Sequence, residues 1–105
     1  MRRGWRVTHK PVFSATAEED VVALYDWIAE AAGTDVAADY VTRLLQRCEK
    51  LTDYPDKGTP REDISSGLRT APFERRTLIA YRVSADEVVV LRILSGGRDL
   101  TSAFS

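Results

Sequence analysis

The chain has one cysteine and one histidine in 105 residues. A lone Cys48 excludes an internal disulfide and a cysteine-based metal cluster, and a lone His9 leaves no histidine pair for zinc. A Ser-His-Asp set is equally unpromising, because His9 falls in an expected strand where a histidine usually packs or faces solvent. The longest aliphatic run, Val88-Val89-Val90-Leu91, is far too short to span a membrane. No phosphate-cradling loop is present: Gly96-Gly97 follows an expected strand but lacks both the P-loop Lys-Ser/Thr and the dinucleotide glycine spacing. The basic opening Met1-Arg2-Arg3-Gly4-Trp5-Arg6 has no apolar stretch behind it, so a secretory signal is not expected and the cytoplasm is the default. These absences leave no expected catalytic residue, cofactor, metal site or membrane contact.

What the chain does have is an uneven distribution of charge. The formal net charge is −1, yet residues 16–54 carry nine acids against three bases, and the remainder carries twelve bases against seven acids. An acidic face and a basic face follow from such a split. The length suits one domain, residues 1–105, with a modest core.

Residues 5–13 alternate loosely and read as a strand, with Pro11 marking an edge or its end. Thr16-Ala17-Glu18-Glu19 fits a capping box. Val21, Leu24, Tyr25, Ile28 and Ala32 then recur at helical spacing. Gly33 ends this helix, with Thr34 or Asp35 positioned to cap the next, which runs from about Asp35 to Tyr54. Ala37, Val41, Leu44, Cys48 and Leu51 form its apolar side, so Cys48 reads as a buried structural thiol. The short link makes the two helices an antiparallel hairpin, and Pro55 stops the second.

Residues 55–67 read as a loop rich in turn formers. Three strands follow, Leu68–Phe73, Arg76–Ser84 and Glu87–Leu94, with a tight turn at Ala85-Asp86. Gly96-Gly97 breaks the last strand, and Arg98–Phe104 forms a helical turn or tail. The expected fold is α+β: an N-terminal strand, a helical hairpin, a three-stranded antiparallel meander carrying the hairpin on one face, and a short C-terminal tail.

The arginines after residue 60 are the conspicuous polar feature: Arg61, Arg69, Arg75, Arg76, Arg82, Arg92 and Arg98. Guanidinium groups suit two-pronged binding of carboxylates. The plainer alternative is that they pair with Glu62, Asp63, Glu74 and Asp99.

The whole chain resembles the RelE/ParE superfamily of toxins, and its ParE branch most closely. The matching pieces are Ala17-Glu18-Glu19-Asp20, Tyr25-Asp26-Trp27-Ile28-Ala29, and Leu44-Leu45 through Leu51 to Tyr54-Pro55. They continue with Gly58-Thr59-Pro60-Arg61, Gly67-Leu68-Arg69, Leu78-Ile79-Ala80-Tyr81-Arg82-Val83, Leu91-Arg92-Ile93-Leu94 and Arg98-Asp99-Leu100. The resemblance implies a bacterial or archaeal toxin, a cognate ParD-like antitoxin usually encoded beside it, and DNA gyrase as target. Operator DNA would be met only through the antitoxin. It also implies target contacts near the chain's end, at Arg92, Arg98, Asp99 and Phe104.

An amphipathic acidic antitoxin tail would lie in an apolar groove flanked by Arg61, Arg69, Arg75 and Arg82. Trp27, beside the core stripe of the first helix, is the candidate anchor. Related chains often carry His-Gly-Arg-Arg-Asp where this one has Ser95-Gly96-Gly97-Arg98-Asp99. RelE-like nucleases tend to place a Tyr or His acid/base beyond the arginine matching Arg98; residues 99–105 hold no group that titrates near neutral pH. The alternatives to a gyrase-binding toxin are a ribosome-dependent mRNA endonuclease like RelE and an inactive relative that only binds an antitoxin.

Overall fold

The computed structural model describes residues 10–104 apart from Asp86 and Gly97. Of the expected first strand, residues 5–9, His9 included, lie outside the described residues, and Lys10 and Pro11 are not strand, so the described strand is confined to Val12–Phe13. The described part is β1 (Val12–Phe13), followed by α1 (Ala15–Ala32), α2 (Thr34–Asp53) and a 3₁₀ turn at Pro55–Lys57. Then come β2 (Thr59–Pro60), β3 (Leu68–Phe73), β4 (Thr77–Ser84), β5 (Glu87–Ser95) and α3 (Leu100–Ala103). The strands form one sheet in the order β1-β5-β4-β3-β2. The β3-β4-β5 meander is antiparallel as expected, and β1 joins its edge parallel to β5.

The start of α1 corrects the expected capping box. Ser14, not Thr16, is the N-cap, and its Oγ accepts the Ala17 amide at 3.0 Å. Two further bonds hold Ser14 in place: its amide donates to the Val90 carbonyl at 2.9 Å, and its Oγ donates to the Leu91 carbonyl at 2.9 Å. The strand-to-helix corner is therefore riveted to β5, and the helix begins before the box could close. The second correction lies at the hairpin turn. Gly33, at φ 100°, is both the C-cap of α1 and the N-cap of α2, and no side chain caps α2. A left-handed φ is costly for residues other than glycine, so Gly33 sets the turn and leaves Thr34 and Asp35 inside α2.

On α1 the buried residues are Ala17, Asp20, Leu24 and Ile28, with Val21 and Tyr25 partly buried; Ala32 is exposed. On α2 they include Ala37, Leu44, Cys48 and Leu51. These meet Ala71, Phe73, Ile79, Tyr81, Val88, Val90 and Ile93 from one side of the sheet. A smaller core of Leu68, Ala80, Leu94 and Leu100 forms separately, with Ile64, Leu78, Leu91, Ala103 and Phe104 packed around it. The C-terminal helix thus covers sheet surface that the hairpin does not reach.

The loop at residues 55–67 is more ordered than its composition suggests. Tyr81 is fully buried; its Oη accepts the Gly58 amide at 2.9 Å and donates to the Pro55 carbonyl at 2.7 Å. Arg69 donates to the Asp56 and Gly58 carbonyls at 3.0 and 2.8 Å. A buried phenol and a guanidinium therefore satisfy backbone groups that no strand pairs.

Candidate functional site

The predicted site residues separate into those the fold consumes and those it leaves free. Arg92 is consumed. Between Ala80↔Arg92 and Tyr81↔Val90 the β4–β5 register shifts, so Leu91 is an inserted residue and the strand bends there. Arg92 Nε and Nη2 donate to the two carboxylate oxygens of Asp20 at 2.8 and 3.1 Å. The Ile93 amide donates to the same carboxylate at 2.9 Å. This hydrogen bond with Asp20 holds the Arg92 guanidinium above the ordinary arginine range.

Asp99 and Phe104 are also engaged. Asp99 caps α3, accepting from the Thr101 amide and Ser102 Oγ, each at 3.0 Å. Phe104 packs half-buried against the smaller core.

The arginines expected to flank one groove do not converge. Arg61 pairs with Asp63 at 2.9 Å, which raises the guanidinium and lowers the carboxylate from their ordinary ranges. Arg69 lies opposite Tyr81 in the sheet and braces the 55–58 turn. Arg82, paired with Leu68, donates to the Ser66 carbonyl and Ser65 Oγ. Since side chains alternate along a strand, neighbouring registers place Arg69 and Arg82 on opposite faces. Arg75 stands at the other end of these strands, in the β3–β4 turn.

Among the described residues, Trp27 and Arg98 have no ion-pair or hydrogen-bond partner for their side chains. Trp27 is 62% exposed on α1. Arg98 is exposed, and its amide donates to the Ser95 carbonyl at 3.4 Å, which turns the chain out of β5. Both line a surface depression of about 390 Å³ together with Asp20, Ala23, Leu24, Ser95 and Gly96. The structure therefore brings together two residues expected to serve different partners.

Sequence reasoning missed Asp20 and Tyr81. Asp20 falls four residues before Leu24 on the buried stripe of α1, and a carboxylate there needs a cation. That spacing was the available signal. Among the described residues, no cluster of three or more His, Cys, Asp or Glu side chains could hold a metal ion, and no helix is long and apolar enough to cross a membrane.

Residues 12–100 match the model of the family described as the ParE toxin of the type II toxin-antitoxin system, parDE. The chain belongs to this ParE toxin family. Among its relatives, Toxin ParE3 of Caulobacter vibrioides is 30% identical over 83 residues, covering 79% of this chain and 82% of that protein. Toxin ParE1 of the same organism is 27% identical, covering 77% and 82%. A solved chain from the chromosomal ParDE TA system of P. aeruginosa superposes with a TM-score of 0.71 at 25% identity, covering 84% of this chain and 98% of its own. The α+β arrangement expected from the resemblance is the one observed, and this ParE toxin is a toxin of a type II toxin–antitoxin system.

Proposed function

We propose that this ParE-family chain arrests growth by binding DNA gyrase through the surface around Arg98, without chemistry of its own. A ParD-like antitoxin silences it by covering Trp27. Family membership motivates the target and the partner. The observation that carries the rest is the shared depression: Trp27 and Arg98 line one concavity, so an antitoxin segment seated on Trp27 also covers Arg98. A large exposed aromatic beside a cation suits an acidic amphipathic segment, since such residues dominate interface energetics. Arg61, Arg69 and Arg82 then shape the distant loops that frame the protein, and Arg75 is free for another role. Operator DNA is met through the antitoxin, and the toxin works in the cytoplasm.

A nuclease needs an acid and a base placed around the phosphate. The one carboxylate of the described tail, Asp99, is taken up in capping α3. This supports a binding mechanism over RNA cleavage. The test is expression without antitoxin, combined with a supercoiling assay on purified gyrase. Halted replication with continuing translation, and inhibition of supercoiling, are expected. Codon-specific mRNA cuts on translating ribosomes would overturn the reading.

A further inference from the structure

The β3–β4 connection is strained in a way that local sequence does not favour. Glu74 and Arg75 both adopt left-handed backbone, at φ 47° and 72°. Tight hairpin turns of this form prefer Asn and Gly at these positions, because larger side chains clash with their own backbone. Helix α2 holds the turn in place. Arg43 grips Glu74 with two bonds of 2.8 and 3.0 Å, and Tyr40 bonds Thr77 Oγ1 at 2.7 Å while packing edge-on against Phe73. The result is that Arg75 and Arg76 project from the end of the sheet.

The departing tail is tied to the same place. The Gly96 amide donates to the Arg76 carbonyl at 3.2 Å, and Arg98 follows two residues later. Arg75, Arg76 and Arg98 line one depression of about 390 Å³ whose floor includes Pro72, Leu78 and Leu94. Pro72 and Leu78 are directly paired across β3 and β4 and reach the surface, while Leu94 beside Leu78 is buried. The carboxylates nearest in sequence are engaged elsewhere: Glu74 by Arg43, and Asp99 by the amide end of α3. Three exposed guanidinium groups thus surround apolar side chains, with no carboxylate among the described lining residues.

We infer that Arg75 and Arg76 act with Arg98 as one docking surface for an acidic segment of the toxin's protein target, whose aliphatic or aromatic side chain rests on Pro72 and Leu78. This rests on the proposed binding mechanism and extends it from the tail to the β3–β4 turn. Charge complementarity selects the occupant. Guanidinium forks pair with carboxylates two bonds at a time, and the apolar floor suits a side chain between them. A nucleic acid backbone would leave that floor unused. Backbone strain held in place by surrounding structure is a feature of functional segments.

The test uses the full-length protein with Arg75→Glu/Arg76→Glu, and Lys50→Glu/Lys57→Glu as a charge-matched control. The inhibitory concentration against gyrase is expected to rise at least ~30-fold in the first variant, with growth arrest lost and antitoxin affinity and melting temperature near wild type. The control is expected to behave as wild type. A second variant, Arg75→Gly, removes one charge while relaxing the turn; it is expected to be more stable than wild type yet weaker as a toxin.

Full activity in the double variant overturns the inference, as does loss of antitoxin binding in step with activity. Salt-sensitive binding of duplex DNA that the double variant abolishes replaces the acidic occupant with a polyanion and also overturns it. If wild-type toxin arrests growth without inhibiting gyrase, the target assignment fails. Loss of arrest in the double variant would in that case still support the docking surface.

Discussion

The carboxylate of Asp20 receives both prongs of the Arg92 guanidinium and the Ile93 amide, joining α1 to β5 across 72 positions of sequence. The side chains are 6% and 17% exposed, so this is an interior ion pair. Removing Arg92 leaves the Asp20 carboxylate buried with only the Ile93 amide, whereas removing Asp20 leaves a guanidinium that still reaches solvent. Arg92→Ala is expected to cost about 3 kcal/mol in chemical denaturation, and Asp20→Ala less. Toxicity should fall with the folded fraction and not beyond it. An Arg92 variant of wild-type stability that had lost toxicity would return Arg92 to the target surface.

Gly58 and Tyr81 provide a second stability test. A Cβ at Gly58 would collide with the Tyr81 ring and approach the Thr70 carbonyl at 2.9 Å. Gly58→Ala is therefore expected to destabilise by roughly 1–3 kcal/mol. Tyr81→Phe strips the partner from the Gly58 amide and the Pro55 carbonyl and should cost about 1–3 kcal/mol. Urea unfolding measures both. If Gly58→Ala is neutral, the loop is not pinned as described.

Trp27 and Arg98 should separate stability from binding in the opposite way. Both are exposed, so Trp27→Ala and Arg98→Ala are expected to change stability by less than about 0.5 kcal/mol. Trp27→Ala should weaken antitoxin binding by about 2 kcal/mol, roughly 30-fold, in calorimetric titration. Arg98→Ala should lower gyrase inhibition. Leu100→Ala, by contrast, opens the smaller core and should cost about 2 kcal/mol. Truncation of residues 99–105 therefore cannot isolate function, whereas Arg98→Ala can.

Burial pushes the Cys48 thiol from 9.0 up to about 12. The unfolded chain loses this proton first, so the stabilisation from the neutral thiol is intact below pH 9.0 and lost as pH rises towards about 12. The slope approaches about 1.4 kcal/mol per pH unit. Tyr81, also pushed up by burial, acts in the same sense. Comparing alkaline denaturation of wild type and Cys48→Ala isolates the thiol: the variant should show the shallower decline. At neutral pH the native thiol should resist a disulfide reagent and react on unfolding. Rapid labelling of the folded protein would contradict this burial.

The hairpin and the meander were legible because both rest on local pattern. Helical spacing in Leu24–Ile28 and Leu44–Cys48–Leu51 marks faces that are indeed buried, and turn formers bracket β3 closely. The first strand was legible as a strand but not as a parallel neighbour of β5, because nothing local pairs Val12 with Val89. The cap was misread for a related reason: Ser14 wins over Thr16 through the Val90 and Leu91 carbonyls, groups remote in sequence. The roles of the arginines were the least readable. A register shift at Leu91, a left-handed turn at Glu74 and Arg75, and a helix needing Asp99 as its cap decide which guanidinium groups are spent. None of these can be seen from charge alone.

The pairing of β1 with β5 also sets when the protein can exist during synthesis. The Ser14 corner and the Asp20 carboxylate leave the ribosome well before their partners Val90, Leu91 and Arg92, since 72 positions separate Asp20 from Arg92. Until then the nascent chain has a helical hairpin whose apolar side lacks its sheet, and an acid whose counter-ion has not been made. Non-local contacts of this kind close late because the intervening chain must be ordered first. A message broken before the codon for Arg92 should therefore yield a chain that is degraded and not a weakened poison.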